Sequence, residues 1–459
     1  MLFRSAVAVV GPRDSAPAAA PDACENAGER ADRVWTDVER DTVRAAFVAT
    51  QVPYAGSAFS RVDRALAAQI ARWKEARVEM CRAHARNEHS DEVFATQVTC
   101  IDRRLADVRA VVAGGRAVVD AAGVDRIRER ASALRDLSEC VLPGAVALPE
   151  TAELTALRAR MEEAGTLDVI GDHETARAIS AEVAERARQL GDHRLAGRAY
   201  AMLGNVELAR ENSDAAEAAF QEAVRSSQRA NDTTTVAATW VKLMGLVVLS
   251  RQRADEALRL SVVVETAIEH AGSPPRLQGE YQLALGVAHK SKGSVERAVE
   301  HYEAARKIYE AEPEPDYLAL ARAYNNLGIA MRIKKDVEAA IEYHTRALEA
   351  RETELGPDHP DVAYSLNNLA IAWIDRNDLE TARKMFERAL EIRQAAFGDE
   401  HPDVAISLLN LGEWECNHGD RAKGLAKIQT AIETLETTRG ADHPHTGYAR
   451  DQLTKCPAE

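Results

Sequence analysis

Three histidines, His359, His401 and His443, recur at one constant interval, each directly before a proline. Imidazoles in register could ligate zinc. The spacing argues against it. If each unit is a pair of packed helices, equivalent residues in successive units stand at least about 8–10 Å apart. One zinc needs its nitrogens within ~2.1 Å. The histidines therefore read as helix-capping or surface groups, and no metal or cofactor is expected. Catalytic patterns fail in turn. The chain has no G-x-S-x-G, no H-E-x-x-H and no G-x-G-x-x-G, and it lacks the H-R-D and D-F-G of ATP-dependent phosphoryl transfer. Asp192-His193-Arg194 has the wrong order for that triplet. Pairs such as Glu349/Arg351 read as solvated surface charge. No enzyme is expected.

A second set of residues suits recognition rather than reaction. Asn325 and Asn326, then Asn367 and Asn368, then Leu409 and Asn410 occupy matching places at that same interval, with Ile329, Arg332, Ile371 and Ile374 further along. An asparagine amide both donates and accepts, so a row of them can pair with an extended peptide backbone whatever its side chains. The competing reading is that the asparagines only bridge neighbouring units. Of each adjacent pair, one is expected to face a groove and the other to cap or pack between helices.

These residues need elements to hold them in register, and the repeat supplies those elements. A small residue marks each unit: Ala164, Gly204, Gly245, Gly286, Gly328, Ala370 and Gly412, in steps of 40 to 42. Twelve residues after each comes another small residue (Ala298, Ala340 and Ala382, for example), and seven further on a third position holds alanine or valine. Antiparallel helices approach closely only where the side chains at the crossing are small. Leucine at Gly328 should overpack the crossing and cost roughly 1–3 kcal/mol. In G-x-x-H-P-D, Gly356 and Gly398 end one helix with positive φ. Pro360 and Pro402 fit the first turn of the next, and Asp361 and Asp403 complement its N-terminal dipole.

Composition agrees with an all-α chain. Hydrophobic residues make up 46% and aromatics 5% of 459 residues, and alanine and leucine favour helices. The net charge of −15, from 58 Lys+Arg against 73 Asp+Glu, argues against nucleic acid as a partner. No stretch approaches the ~18–20 apolar residues of a membrane span. The expected organisation is a disordered tail or truncated signal or membrane segment (1–23), a helical bundle (24–141), a linker (142–150), an array of about seven repeats (151–439), and a capping helix with tail (440–459). The bundle helices are expected at 29–50, 58–86, 90–112 and 117–140. Four of six cysteines fall in it: Cys24, Cys81, Cys100 and Cys140. Four allow three pairings. A hairpin of the second and third helices favours Cys81–Cys100, leaving Cys24–Cys140. The other reading is reduced, buried thiols.

The repeat resembles the tetratricopeptide repeat family, in particular its 42-residue kinesin light chain-like variety, most specifically in ARAYNNLGIAMRIKKDVEAAIEYHTRALEARETELGPDHPDVA (321–363) and the copy after it. That resemblance implies a right-handed helical-hairpin solenoid whose concave groove is lined by such asparagines, with a protein or peptide partner. The stretch 24–140 resembles the helical module between kinase and repeats in bacterial receptor-type serine/threonine protein kinases. Its landmarks are Trp35, Ala46-Phe47, Pro53-Tyr54-Ala55, Trp73, Arg77, Cys81, Ser90, Cys100 and Arg104-Leu105. The kinase itself is absent, so what carries over is an outer sensing or binding role, with a serine/threonine kinase as one partner the resemblance implies. Three readings follow: an interaction scaffold, the sensor portion of a kinase system separated from its kinase, or an assembly scaffold oligomerising through LMGLVVLS (243–250). The family points to an extracytoplasmic site, and the missing signal points to the cytoplasm.

Overall fold

The computed structural model describes residues 24–456 apart from 89, 133, 135–136, 138–139, 141–150, 171, 250–252 and 313–314. The expected N-terminal tail, the linker and the last three residues lie outside the described residues. The described residues contain helices and no strand.

A 3-10 helix (Glu25–Arg33) leads into α1 (Asp37–Ala49), α2 (Ala55–Ala85), α3 (Asp91–Arg116) and α4 (Ala121–Ser132). The first bundle helix starts later than the sequence suggests, because Thr36 caps it by accepting from the Glu39 N–H. Phe47, Leu66, Trp73, Ile101, Leu105 and Ile127 form the bundle core. The Trp73 indole donates to the Ile101 carbonyl at 2.6 Å, so the buried N–H is satisfied.

The array follows as hairpins: α5 (Ala152–Ile170) with α6 (His173–Gln189), α7 (His193–Ala209) with α8 (Ser213–Arg229), α9 (Thr233–Leu249) with α10 (Ala254–His270), α11 (Pro275–Ser291) with α12 (Val295–Glu310), α13 (Tyr317–Ile333) with α14 (Val337–Leu355), α15 (Pro360–Asp375) with α16 (Leu379–Phe397), and α17 (Pro402–His418) with α18 (Arg421–Arg439). α19 (Pro444–Lys455) closes it. Each helix packs on its neighbours in sequence order, forming a solenoid of hairpin units whose core is a chain of local clusters. Acidic side chains start many of the helices. Asp192, Asp316, Asp336, Asp378 and Asp420 each accept from a backbone N–H in the first turn.

All six cysteines are paired, as Cys24–Cys81, Cys100–Cys140 and Cys416–Cys456, with Cα atoms 5.4–5.6 Å apart. The expected Cys81–Cys100 and Cys24–Cys140 pairing is therefore corrected. Along the α2–α3 hairpin, Cys81 and Cys100 are offset by about five residues, roughly 7–8 Å of axial rise at ~1.5 Å per residue. Added to the helix separation, that exceeds the ~7 Å Cα limit of a disulfide. Cys24 reaches Cys81 because the 3-10 helix packs along α2. The third bridge ties the capping helix to α17.

Candidate peptide-binding wall

Small residues stand where helices cross. A Cβ at Gly204 would lie 2.5 Å from Phe220, at Gly286 2.4 Å from Tyr302, at Gly328 2.6 Å from His344, and at Gly412 2.9 Å from Ile428. Ala164 and Ala370 are fully buried. Gly245 departs from the expectation: nothing approaches its Cβ position within 4 Å. The reason lies further along the hairpin. Sixteen residues after the marker stand Phe220, Tyr302, His344, Phe386 or Ile428 in five hairpins, but Ser261 in this one, too short to fill the crossing beside a glycine. The first hairpin also has a serine there, Ser180, but its marker is Ala164.

The corners between hairpins use the recurring histidines. Gly356, Gly398 and Gly440 have φ of 88°, 79° and 92°. Nδ1 of His359, His401 and His443 then accepts the N–H two residues on, at 3.1–3.2 Å. An imidazole does here what serine or aspartate does at most helix starts. Among the described residues no group of three or more His, Cys, Asp or Glu could hold a metal ion.

The first helices of the last three hairpins carry the asparagine row. Asn325 is buried, and its Oδ1 accepts from Asn368 Nδ2 at 3.0 Å, a bond from α13 to α15. Asn325 Nδ2 in turn donates to the Tyr364 hydroxyl at 3.4 Å. Asn368 also donates to the Tyr364 carbonyl at 3.1 Å. Asn367 is buried and its Oδ1 has no hydrogen-bond partner. Asn326, Asn368 and Asn410 are half-buried, as are Ile329 and Ile371. Arg332 pairs with Asp375 of the next hairpin at 2.6 Å.

Sequence reasoning misses two features of this wall. Tyr364 is 45% exposed although its hydroxyl and its backbone carbonyl are both held. Arg351 is buried, not solvated. Its guanidinium lies 5.2 Å from the Tyr364 ring centroid and bonds the Ser365 hydroxyl. The same tie recurs one unit on, where Arg393 donates to Ser407 at 3.0 Å. The matched spacing of Arg351/Ser365 and Arg393/Ser407 is the signal that could have found it. The apolar run 243–250 also differs from the assembly-surface reading. Leu243, Met244, Leu246, Val247 and Val248 are core, and of its large apolar side chains Leu249 is exposed.

A family model described as tetratricopeptide repeat matches residues 159–229, 278–353, 331–395 and 374–423. No curated protein matches the chain. Among solved structures, a signal transduction ATPase with a tetratricopeptide repeat sensor from Pyrococcus horikoshii has a TM-score of 0.50 at 15% identity, over 93% of this chain and 66% of that one. BtubC (BKLC) from P. vanneervenii is 23% identical over 64% of this chain and 95% of that one, with a TM-score of 0.35. A putative kinesin light chain with nearly identical repeats from Podosopora anserina is 19% identical over 44% and 95%, with a TM-score of 0.38. At so low an identity the first likeness is one of fold. The matched segments and the architecture together give an all-α fold in which repeated helical hairpins form a tetratricopeptide-like solenoid.

Proposed function

We propose that the chain is a non-catalytic interaction module that holds an extended peptide or a partner helix against α13, α15 and α17. The observation that carries this reading is Tyr364. An aromatic ring left 45% exposed, yet fixed by Asn325 and flanked by Arg351, is the kind of rigid anchor that dominates interfaces. Asn368 bonds the Tyr364 carbonyl, and Asn326, Asn368 and Asn410, on α13, α15 and α17, keep part of their surface open for backbone groups of a peptide. Peptides selected from a displayed library on the full chain should lose about 5–30-fold in affinity with Tyr364→Ala, the ~1–2 kcal/mol of a typical anchor. Equal affinity for wild type and variant, with both folded, would remove the wall from consideration.

A second reading is favoured by the cysteines. All six are paired, a usage typical of oxidising compartments. That supports an extracytoplasmic sensor portion of a receptor-type serine/threonine kinase system. A kinase reading frame beside the gene would support it, and an isolated gene would count against it.

A further inference from the structure

The bundle precedes the array in sequence and packs on its first helix, α5, through α3 and α4. It also reaches the corner between α14 and α15, four hairpins further along. Ser57 donates to the Leu355 carbonyl at 3.0 Å. Arg61 pairs with Glu354 at 2.8 Å, both largely buried, and also bonds the Thr353 carbonyl. His359 Nε2 meets Asp125 at 2.7 Å, and the Tyr54 ring lies 4.4 Å from its imidazole. Tyr54 donates to the other Asp125 oxygen at 3.0 Å.

Two details set this corner apart from its copies. Because Nδ1 of His359 accepts from Asp361, the ring hydrogen sits on Nε2 and points at Asp125. His359 is only 2% exposed, whereas His401 stacks on Phe397 at 4.2 Å and His443 is half-buried. Gly356 has no room for a side chain either, since a Cβ there would lie 2.7 Å from the Ser57 hydroxyl. The next corner adds a smaller apolar contact, Ala396 and Phe397 against the bundle core. The seam is otherwise polar, and each body keeps its own hydrophobic clusters. Bodies joined in this way can part without either unfolding.

We propose that the bundle is a releasable strap: docked across the α14–α15 corner it holds the solenoid closed on itself, and released it lets the array open. The strap sets the distance between the first and fifth hairpins, and hence the curvature of the inner wall. The proposal does not depend on what that wall binds.

Charge exchange in the full chain tests it. Arg61→Glu and Glu354→Arg should each raise the radius of gyration in small-angle scattering. Each should also speed hydrogen exchange at amides 353–362 by about tenfold or more, with helix content unchanged. The double exchange, Arg61→Glu with Glu354→Arg, returns the ion pair though not the bond to the Thr353 carbonyl, and should bring both readings back toward wild type. Ser57→Leu, which wedges the seam without altering charge, should open the chain like the single variants. Unchanged scattering and exchange in all three single variants would overturn the strap. So would a double exchange that stays as open as the single variants, or loss of helix content in the single variants.

Discussion

His344 occupies a place that Phe220, Tyr302 and Phe386 fill in other hairpins, directly under the Gly328 crossing. It is fully buried, and neither ring nitrogen has a hydrogen-bond partner. Burial, reinforced by Arg332 and Arg351, pushes the imidazole down to about 4. In the unfolded chain it returns to ~6.5. Between those values the unfolded chain binds a proton that the folded chain refuses. Stability from this site is therefore full above pH ~6.5 and falls as pH drops toward 4. The integrated loss is about 2 kcal/mol by pH 5. His344→Phe restores the aromatic ring of the neighbouring hairpins and removes the proton acceptor. Urea unfolding of wild type and variant at pH 7 and pH 5 should show the wild type losing about 2 kcal/mol more than His344→Phe. Parallel losses would mean that the folded imidazole takes its proton as freely as the unfolded one.

At the scale of the helix pair, the same crossing decides which glycines matter. Gly286 faces the buried Tyr302 ring, 2.4 Å from where a Cβ would stand. The ring has no room to swing, so Gly286→Ala should cost roughly 1–3 kcal/mol. Gly245 has open space instead, and Gly245→Ala should stabilise by up to about 1 kcal/mol through helix propensity. Thermal unfolding of the two variants should move in opposite directions, and a shared sign would break the crossing argument. This contrast also marks what is legible in the chain without its structure. The hairpins, the corner glycines and the prolines at helix starts follow from period and residue type, because each is a local requirement. Gly245 misleads when the marker alone is counted, since its partner, Ser261, decides whether the crossing is tight. Arg351 reads as solvated because its bond to Ser365 joins one hairpin to the next. The bundle cysteines mispair on paper for a related reason: the packing of the 3-10 helix against α2 has no period to reveal it. Tyr364 escapes because exposure depends on the stacking of whole hairpins.

For the whole molecule, the bridges sit where an array is weakest. Each hairpin draws its stability from neighbours on both sides, so the ends have half the support of the middle. Two disulfides lie in the N-terminal bundle, the third ties α19 to α17, and the six cysteines leave the hairpins from α5 to α16 without any. α19 fully buries only Thr446 and Ala449, too little apolar area to hold a twelve-residue helix firmly. Cys416–Cys456 spans 40 residues of sequence, and closing a loop of that length contributes roughly 4 kcal/mol in the chain-entropy model. In a nearest-neighbour array that loss is felt at the end and not throughout. Replacing both cysteines by alanine should therefore bring α19 amides to exchange at nearly unprotected rates and loosen α17 and α18. The amides of α7 and α8 should stay as protected as in wild type. If α19 kept its protection, packing alone would hold the cap. If protection fell evenly along the chain, the solenoid would unfold as one cooperative body, and the independence of its hairpins would have to be given up.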